Sequence, residues 1–176
     1  MVSSVYQPVG FDLDAAAKVR DVIGNLPLMA HGKLNHADVA EEALQNGIVD
    51  LVAIGHGMIA DPHWANKVKK GRLDEINPCI GCGECHFNAM KGRARPCAVN
   101  PLCMHENEYE LTPAQEKKRV LVIGAGPGGM KAAISAAQRG FEVTLWEKNQ
   151  RMGGIMAAAG APRFKADVKD QVEYLI

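Results

Sequence analysis

"RVLVIGAGPGGMKAAISAAQRGFEVTLWEKNQRMGG", residues 119–154, reads as strand, glycine turn, long helix, strand and a second glycine turn. The first run is apolar and β-branched, the middle carries Ala and Ile at helical spacing, and "EVTLW" returns to a strand pattern. The stretch is therefore a βαβ unit with parallel strands. Gly124, Gly126 and Gly129 make G-x-G-x-x-G directly between strand and helix, which is the context the motif requires. Free N–H groups and the dipole at the start of the helix favour a pyrophosphate there. Glu147 and Lys148 close the second strand about 20 residues further on, and the carboxylate is placed to accept from the ribose hydroxyls of an adenine dinucleotide. A tight turn holding no ligand is the plain alternative.

Working upstream, "HENEYELTPAQEKK" is a polar linker, and a boundary is expected across 106–118. Before it, residues 77–105 show little periodicity and are rich in Gly, Pro and Asn, so a loop is expected that something must organise. Cys79, Cys82, Cys85 and Cys97 follow C-x2-C-x2-C-x11-C. Three thiolates at that spacing wrap one face of a compact ligand while the fourth reaches in from beyond a turn, as a cubane iron–sulfur cluster requires. Structural zinc takes separated C-x2-C knuckles and is the alternative, with unligated thiols a third. Gly81, Gly83 and Gly92 let the backbone approach such a cluster, Cys103 is surplus, and His86 reads as a surface or packing histidine.

The first 76 residues have a βαβ rhythm. Helical spacing runs through 12–24, with Asp12 or Asp14 as N-cap and Gly24 as the stop. "LPLMAHGKL" reads as strand then loop, 35–47 as a crossover helix ending in Asn-Gly, 48–57 as a second buried-type strand, and 61–71 as a helix with Asp61 as its cap. The fold class is α/β throughout.

Composition narrows the function. Lys plus Arg and Asp plus Glu are 20 each and aromatics are 5%, so neither a basic field nor a stacking surface favours nucleic acid. The opening residues lack a secretory pattern and no run reaches the length of a membrane span. Five cysteines, four of them at short fixed spacings, fit a metal or cluster site in a reducing, cytoplasmic setting.

Taken in order, "LPLMAHGKL", "DLVAIGHGMIADP", "GRLDEINPCIGCGEC", "CAVNP" and "GAGPGG…EK…RMGG" resemble the NADH:flavin oxidoreductases related to old yellow enzyme. The resemblance is to the 2,4-dienoyl-CoA reductase and trimethylamine dehydrogenase branch, and it spans residues 11–176. It implies the last two strands of an FMN-bearing TIM barrel in 1–76, a 4Fe-4S loop in 77–105, and the start of an FAD- or ADP-binding Rossmann-like domain in 119–176. Gly32 and Lys33 would then touch the FMN phosphate from one side, and Gly55 and His56 from the other. The branch has Gly-Arg after the eighth strand where this chain has Gly55-His56, which exchanges a permanent cation for a mostly neutral one. Gly153 and Gly154 in "RMGG" match the second glycine pair of glutathione-reductase-type flavin enzymes.

The implied activity passes electrons from NAD(P)H through FAD and the cluster to FMN, for reduction of an activated C=C bond in an enone or enoyl-CoA. An amine dehydrogenase of the same family is the alternative substrate class. The residues that would protonate substrate lie outside this chain, so no catalytic residue is assigned. The family pattern also makes the chain an expected fragment, split-gene product or divided subunit, with residues 1–76 needing a partner subunit to complete the barrel. A non-catalytic electron-transfer or ADP-binding module and an inert truncation product are the rival readings.

Overall fold

The computed structural model describes residues 4–94 and 96–176. The chain forms two compact units, Met1–Cys103 and Met104–Ile176.

In the first unit, helix α1 (Leu13–Ile23) ends at Gly24, whose φ of 58° lies in the left-handed region that glycine occupies without strain. Asp12 stands at the N-cap position but makes no side-chain cap; its carboxylate instead meets His31 Nδ1 at 3.1 Å. Strand β1 (Met29–Ala30) pairs in parallel with β2 (Leu51–Val52), Met29 opposite Leu51 and Ala30 opposite Val52. Helix α2 (Ala37–Gln45) is the crossover between them. Both strands are shorter than the apolar runs suggest, because each has one neighbour among the described residues and the ladder ends where that pairing ends. Asp50 holds the register from the side: its Oδ2 accepts the Leu28 amide at 2.7 Å and pairs with Arg20. The core is made of small and aliphatic residues, with Ala16, Ala30, Leu34, Ala40, Ala43 and Val49 buried. Truncating the fully buried Leu34 to Ala is worth about 2–5 kcal/mol.

Two short helices follow, α3 (His56–Ala60) and α4 (Trp64–Lys69). The apolar pattern runs as a strand to Gly57 and the next helical pattern over 61–71; the chain instead turns helical at His56, breaks at Asp61-Pro62 and resumes at Trp64. His63, not Asp61, is the N-cap of α4. The cysteine segment was expected to be irregular, yet it contains helix α5 (Glu84–Met90). Gly83, left-handed at φ 75°, starts it, and Asn88 Nδ2 donates back to the Glu84 carbonyl at 2.9 Å.

In the second unit, β3 (Arg119–Ile123) and β4 (Glu142–Trp146) run parallel in register from Arg119 opposite Glu142 to Ile123 opposite Trp146. Helix α6 (Pro127–Gln138) crosses between them, with Pro127 in its first turn where a missing N–H costs nothing. Helices α7 (Gly154–Ala159) and α8 (Ala166–Leu175) complete the unit. Ala125, Met130 and Leu175 form its buried centre, with Ile134, Leu145, Met152 and Tyr174 against them. Leu121, Ile123 and Trp146 point outward and are exposed. Among the described residues no helix is long and apolar enough to cross a membrane.

Candidate functional site

At the C-terminal ends of β1 and β2 lies a cavity of about 350 Å³, lined by residues that include Gly32, Lys33, Ala53, Gly55 and His56. Gly32 has φ 114° and an added Cβ would meet Asp12 at 3.1 Å, so this position demands glycine for its own packing. Gly55 differs: its φ is −91° and a Cβ there would enter open space. Neither strain nor crowding explains that glycine, and its bare backbone leaves the cavity open to close approach. Lys33 adopts φ 56°, unusual for a residue with a side chain, and its Nζ donates to the Gln7 carbonyl at 3.0 Å. Burial lowers the pKa of His56, and the charge of His86 lowers it further, so the imidazole is neutral at pH 7.

A second cavity, about 20 Å³, is lined by Cys79, Cys82, Cys85 and Cys97 together with His56 and Ile59. Cysteines spread over 19 positions are thus gathered round one space. Burial pushes the Cys79 thiol up to about 11; a Gly81 N–H pulls the other way, and the charges of the other three sulfurs add to the rise. Burial raises Cys85 as well, against an N–H from His86. The donor set itself, four sulfurs with N–H groups aimed at them, suits iron and sulfide. Among the described residues no three His, Cys, Asp or Glu side chains converge as a single-ion site. Cys103 is buried outside this lining.

The sequence reading missed what fastens this loop. Asn77 Nδ2 donates to the Ala60 carbonyl and to the Val99 carbonyl, each at 3.0 Å, and Asn100 Nδ2 donates to the Ile59 carbonyl at 3.0 Å. Both asparagines precede a proline, Pro78 and Pro101, one on either side of the four cysteines. That pair of Asn-Pro steps was the available signal, since each sets an extended backbone from which the amide reaches back. Asp61, read as a cap, does accept the His63 amide at 3.0 Å, and it is also a buried hub that accepts the Asn77 amide at 2.9 Å and Lys67 Nζ at 2.6 Å. Burial pushes the Asp61 carboxyl up, but the bonds from Lys67, Asn77 and His63 outweigh it and hold the group below the usual carboxylate range.

In the second unit, Gly124 has φ 99°, and a side chain at Gly129 would run into the Gly124 carbonyl oxygen. Gly126 has φ −73°, and a Cβ there meets nothing within 4 Å. Like Gly55, it is a glycine whose backbone does not require it. The second glycine turn nests against the first, with Gly153 N–H donating to the Ala125 carbonyl at 2.7 Å and Gly154 placed so that its Cβ would lie 3.3 Å from Gly126 Cα. Glu147 Oε2 accepts the Ala125 amide at 2.8 Å, while Oε1 accepts Asn149 N and Nδ2 at 2.8 and 2.9 Å. These donors, Asn149 first and Ala125 next, lower its pKa. Lys148 is exposed just past β4.

Residues 7–75 match the model of the NADH:flavin oxidoreductase / NADH oxidase family, and residues 119–174 match that of the FAD dependent oxidoreductases. The chain is 40% identical to an NADH oxidase of Thermoanaerobacter brockii over 91% of its own length and 25% of that protein. It is 35% identical to a cinnamate reductase of Clostridium sporogenes over 97% of its length and 26% of that protein. The solved complex of a 2-naphthoyl-CoA reductase with 2-naphthoyl-CoA superposes with a TM-score of 0.94 at 31% identity, over 99% of this chain and 27% of the other. The chain spans about a quarter of the length of these proteins.

Proposed function

Because the chain belongs to the NADH:flavin oxidoreductase / NADH oxidase family, matched over residues 7–75, we propose that it is the cofactor-holding part of an iron–sulfur flavoprotein reductase. The reaction is reduction of an activated C=C bond with NAD(P)H as the electron source, of the 2,4-dienoyl-CoA reductase type. Its relatives named for cinnamate and naphthoyl-CoA reduction support an enoate or acyl-CoA substrate. In this reading residues 1–76 are the closing strands of a flavin barrel and 119–176 open a dinucleotide domain.

The residues divide by cofactor. Gly32, Lys33, Gly55 and His56 would hold the FMN phosphate, chiefly through backbone N–H groups and the Lys33 ammonium, since the neutral His56 offers a hydrogen bond and no charge. Cys79, Cys82, Cys85 and Cys97 would hold a 4Fe-4S cluster. Gly124, Gly126, Gly129 and Gly154 would admit the pyrophosphate of FAD or ADP at the α6 N-terminus, with Glu147 on the ribose and Lys148 beside it. When bound, flavins supply hydride and single-electron chemistry and a cluster supplies single-electron transfer between them. The protein's own work is to hold each group, set its surroundings and exclude water.

One observation carries this reading: the cysteine-lined cavity and the cavity at the strand ends share His56 and Ile59 as common wall. Four thiols beside a phosphate-type pocket suit redox exchange with a flavin better than an isolated structural metal. Anaerobic purification followed by iron, sulfide and flavin analysis tests it. Four iron and four sulfide per chain are expected, and Cys85→Ala should remove the brown colour. Zinc in place of iron, or colour unchanged by that substitution, would sink the cluster assignment.

A further inference from the structure

Helix α3 forms a wall common to two sites. His56, at its start, lines both cavities, and its last carbonyls, those of Ile59 and Ala60, are gripped by Asn100 and Asn77. Asn77 stands two residues before Cys79 and also holds the Val99 carbonyl, two residues after Cys97. A single buried amide therefore ties both limbs of the cysteine loop to one helix. Its backbone is fixed as well, through the N–H that Asp61 accepts.

The helix has little freedom to ignore a pull on that end. It is five residues long, and Gly57 sits so tightly that a Cβ would lie 2.6 Å from Asn35 Cβ and 2.9 Å from Ile54 Cγ2. Asn35 and Ile54 both line the cavity at the strand ends. Movement of α3 is therefore movement of that cavity's wall. Any displacement of the limbs that carry Cys79 and Cys97 is passed to α3 through the bonds that Asn77 makes to Val99 and Ala60.

We infer that Asn77 is a positioning residue that couples occupancy of the cysteine cavity to the shape of the pocket at the strand ends, with Asn100 as a second anchor. This rests on reading the two cavities as cluster and flavin-phosphate sites. Asn77 touches neither group; it acts through α3. By linkage the coupling is reciprocal, so that filling either site changes the affinity of the other by the same factor.

The test is FMN affinity, followed by flavin fluorescence, of the full chain before and after anaerobic loading with ferrous iron and sulfide. Loading should tighten FMN binding in the parent protein about tenfold, within the usual range of such couplings. Asn77→Asp, which keeps the shape and removes the donor, should bring the ratio to within about twofold of unity while four iron per chain are retained. An unchanged ratio in the variant, or a ratio of one in the parent, overturns the inference. If Asn77→Asp fails to fold or to hold iron, Asn100→Asp, which removes only the Ile59 anchor, must lower the ratio; no change overturns the inference. If the parent takes up no iron, the cluster assignment fails by itself. The positioning role is then judged on metal-free protein, where Asn77→Asp must weaken FMN about fivefold and equal affinity overturns it. Absence of any FMN binding overturns both readings.

Discussion

Glu147 Oε2 lies 2.8 Å from the Ala125 amide nitrogen, so the carboxylate at the end of β4 closes the turn that leaves β3. One side chain thereby fixes the turn proposed to receive a pyrophosphate and stands where the ribose is proposed to lie. Glu147→Gln retains one acceptor oxygen and loses the charge. ADP affinity, measured by calorimetric titration, should fall about tenfold, the scale of one charge-assisted hydrogen bond. The donors on Glu147 hold it below the usual glutamate range, so this group adds no pH dependence to ADP binding from pH 5 to 8, and affinity should fall only at pH values below that range.

Gly126 and Gly129 separate ligand demands from folding demands. Gly126→Ala places a methyl in open space at a φ any residue adopts, so thermal stability should hold or rise by up to about 1 kcal/mol. ADP binding should nevertheless weaken by at least about tenfold, because the methyl occupies the path of the phosphate. Gly129→Ala drives a side chain into the Gly124 carbonyl and should cost the second unit its cooperative unfolding transition. Equal effects of the two variants on stability would contradict this division.

Asp61 supports the first unit at acid pH. Its folded-state pKa is lowered, so the stability it contributes is fully present above the unfolded value near 4 and is lost as pH falls through the lower folded value. Acid unfolding of Asp61→Ala should therefore lack that component. At neutral pH the variant leaves Lys67 without its carboxylate and Asn77 without its backbone anchor, for a loss of about 3 kcal/mol by chemical denaturation.

Cys79 and Cys82 should differ as nucleophiles in metal-free protein. The Cys79 thiol, raised to about 11, is ionised in about one molecule in ten thousand at pH 7 and lies half-buried, whereas Cys82 is exposed. Iodoacetamide should label Cys82 first. Raising the pH from 7 to 9 should speed labelling of Cys79 about a hundredfold, as its thiolate fraction rises. Peptide mapping by mass spectrometry distinguishes the two.

The second unit was nearly readable from its residues. Strand, turn, helix and strand at 119–146 follow from period and glycine placement, because a local βαβ unit writes its own pattern. The cysteine segment was half-readable: spacing brought Cys79, Cys82, Cys85 and Cys97 together, but Gly83 and Gly92 at its edges hid the one good helix, α5. The break at Asp61-Pro62 and the hub built on it were not readable. Asp61 acts on Asn77, sixteen residues away, and a side chain that bonds so far along the chain leaves no periodic trace. Asn100, reaching Ile59 across forty-one residues, is the same case. Glu147 shows the reverse, a residue whose place at the end of β4 was legible while its bonds to Ala125 and Asn149 were not.

Lys33 sets ease of folding against grip. Its backbone lies in a left-handed region that a residue with a β-carbon enters at about 1–2 kcal/mol, and glycine enters freely. Lys33→Gly would relieve that backbone while losing the bond from Nζ to the Gln7 carbonyl and the cation at the cavity. Selection for thermal robustness alone would drift toward that exchange, and on the proposed flavin-phosphate reading selection for cofactor retention would resist it.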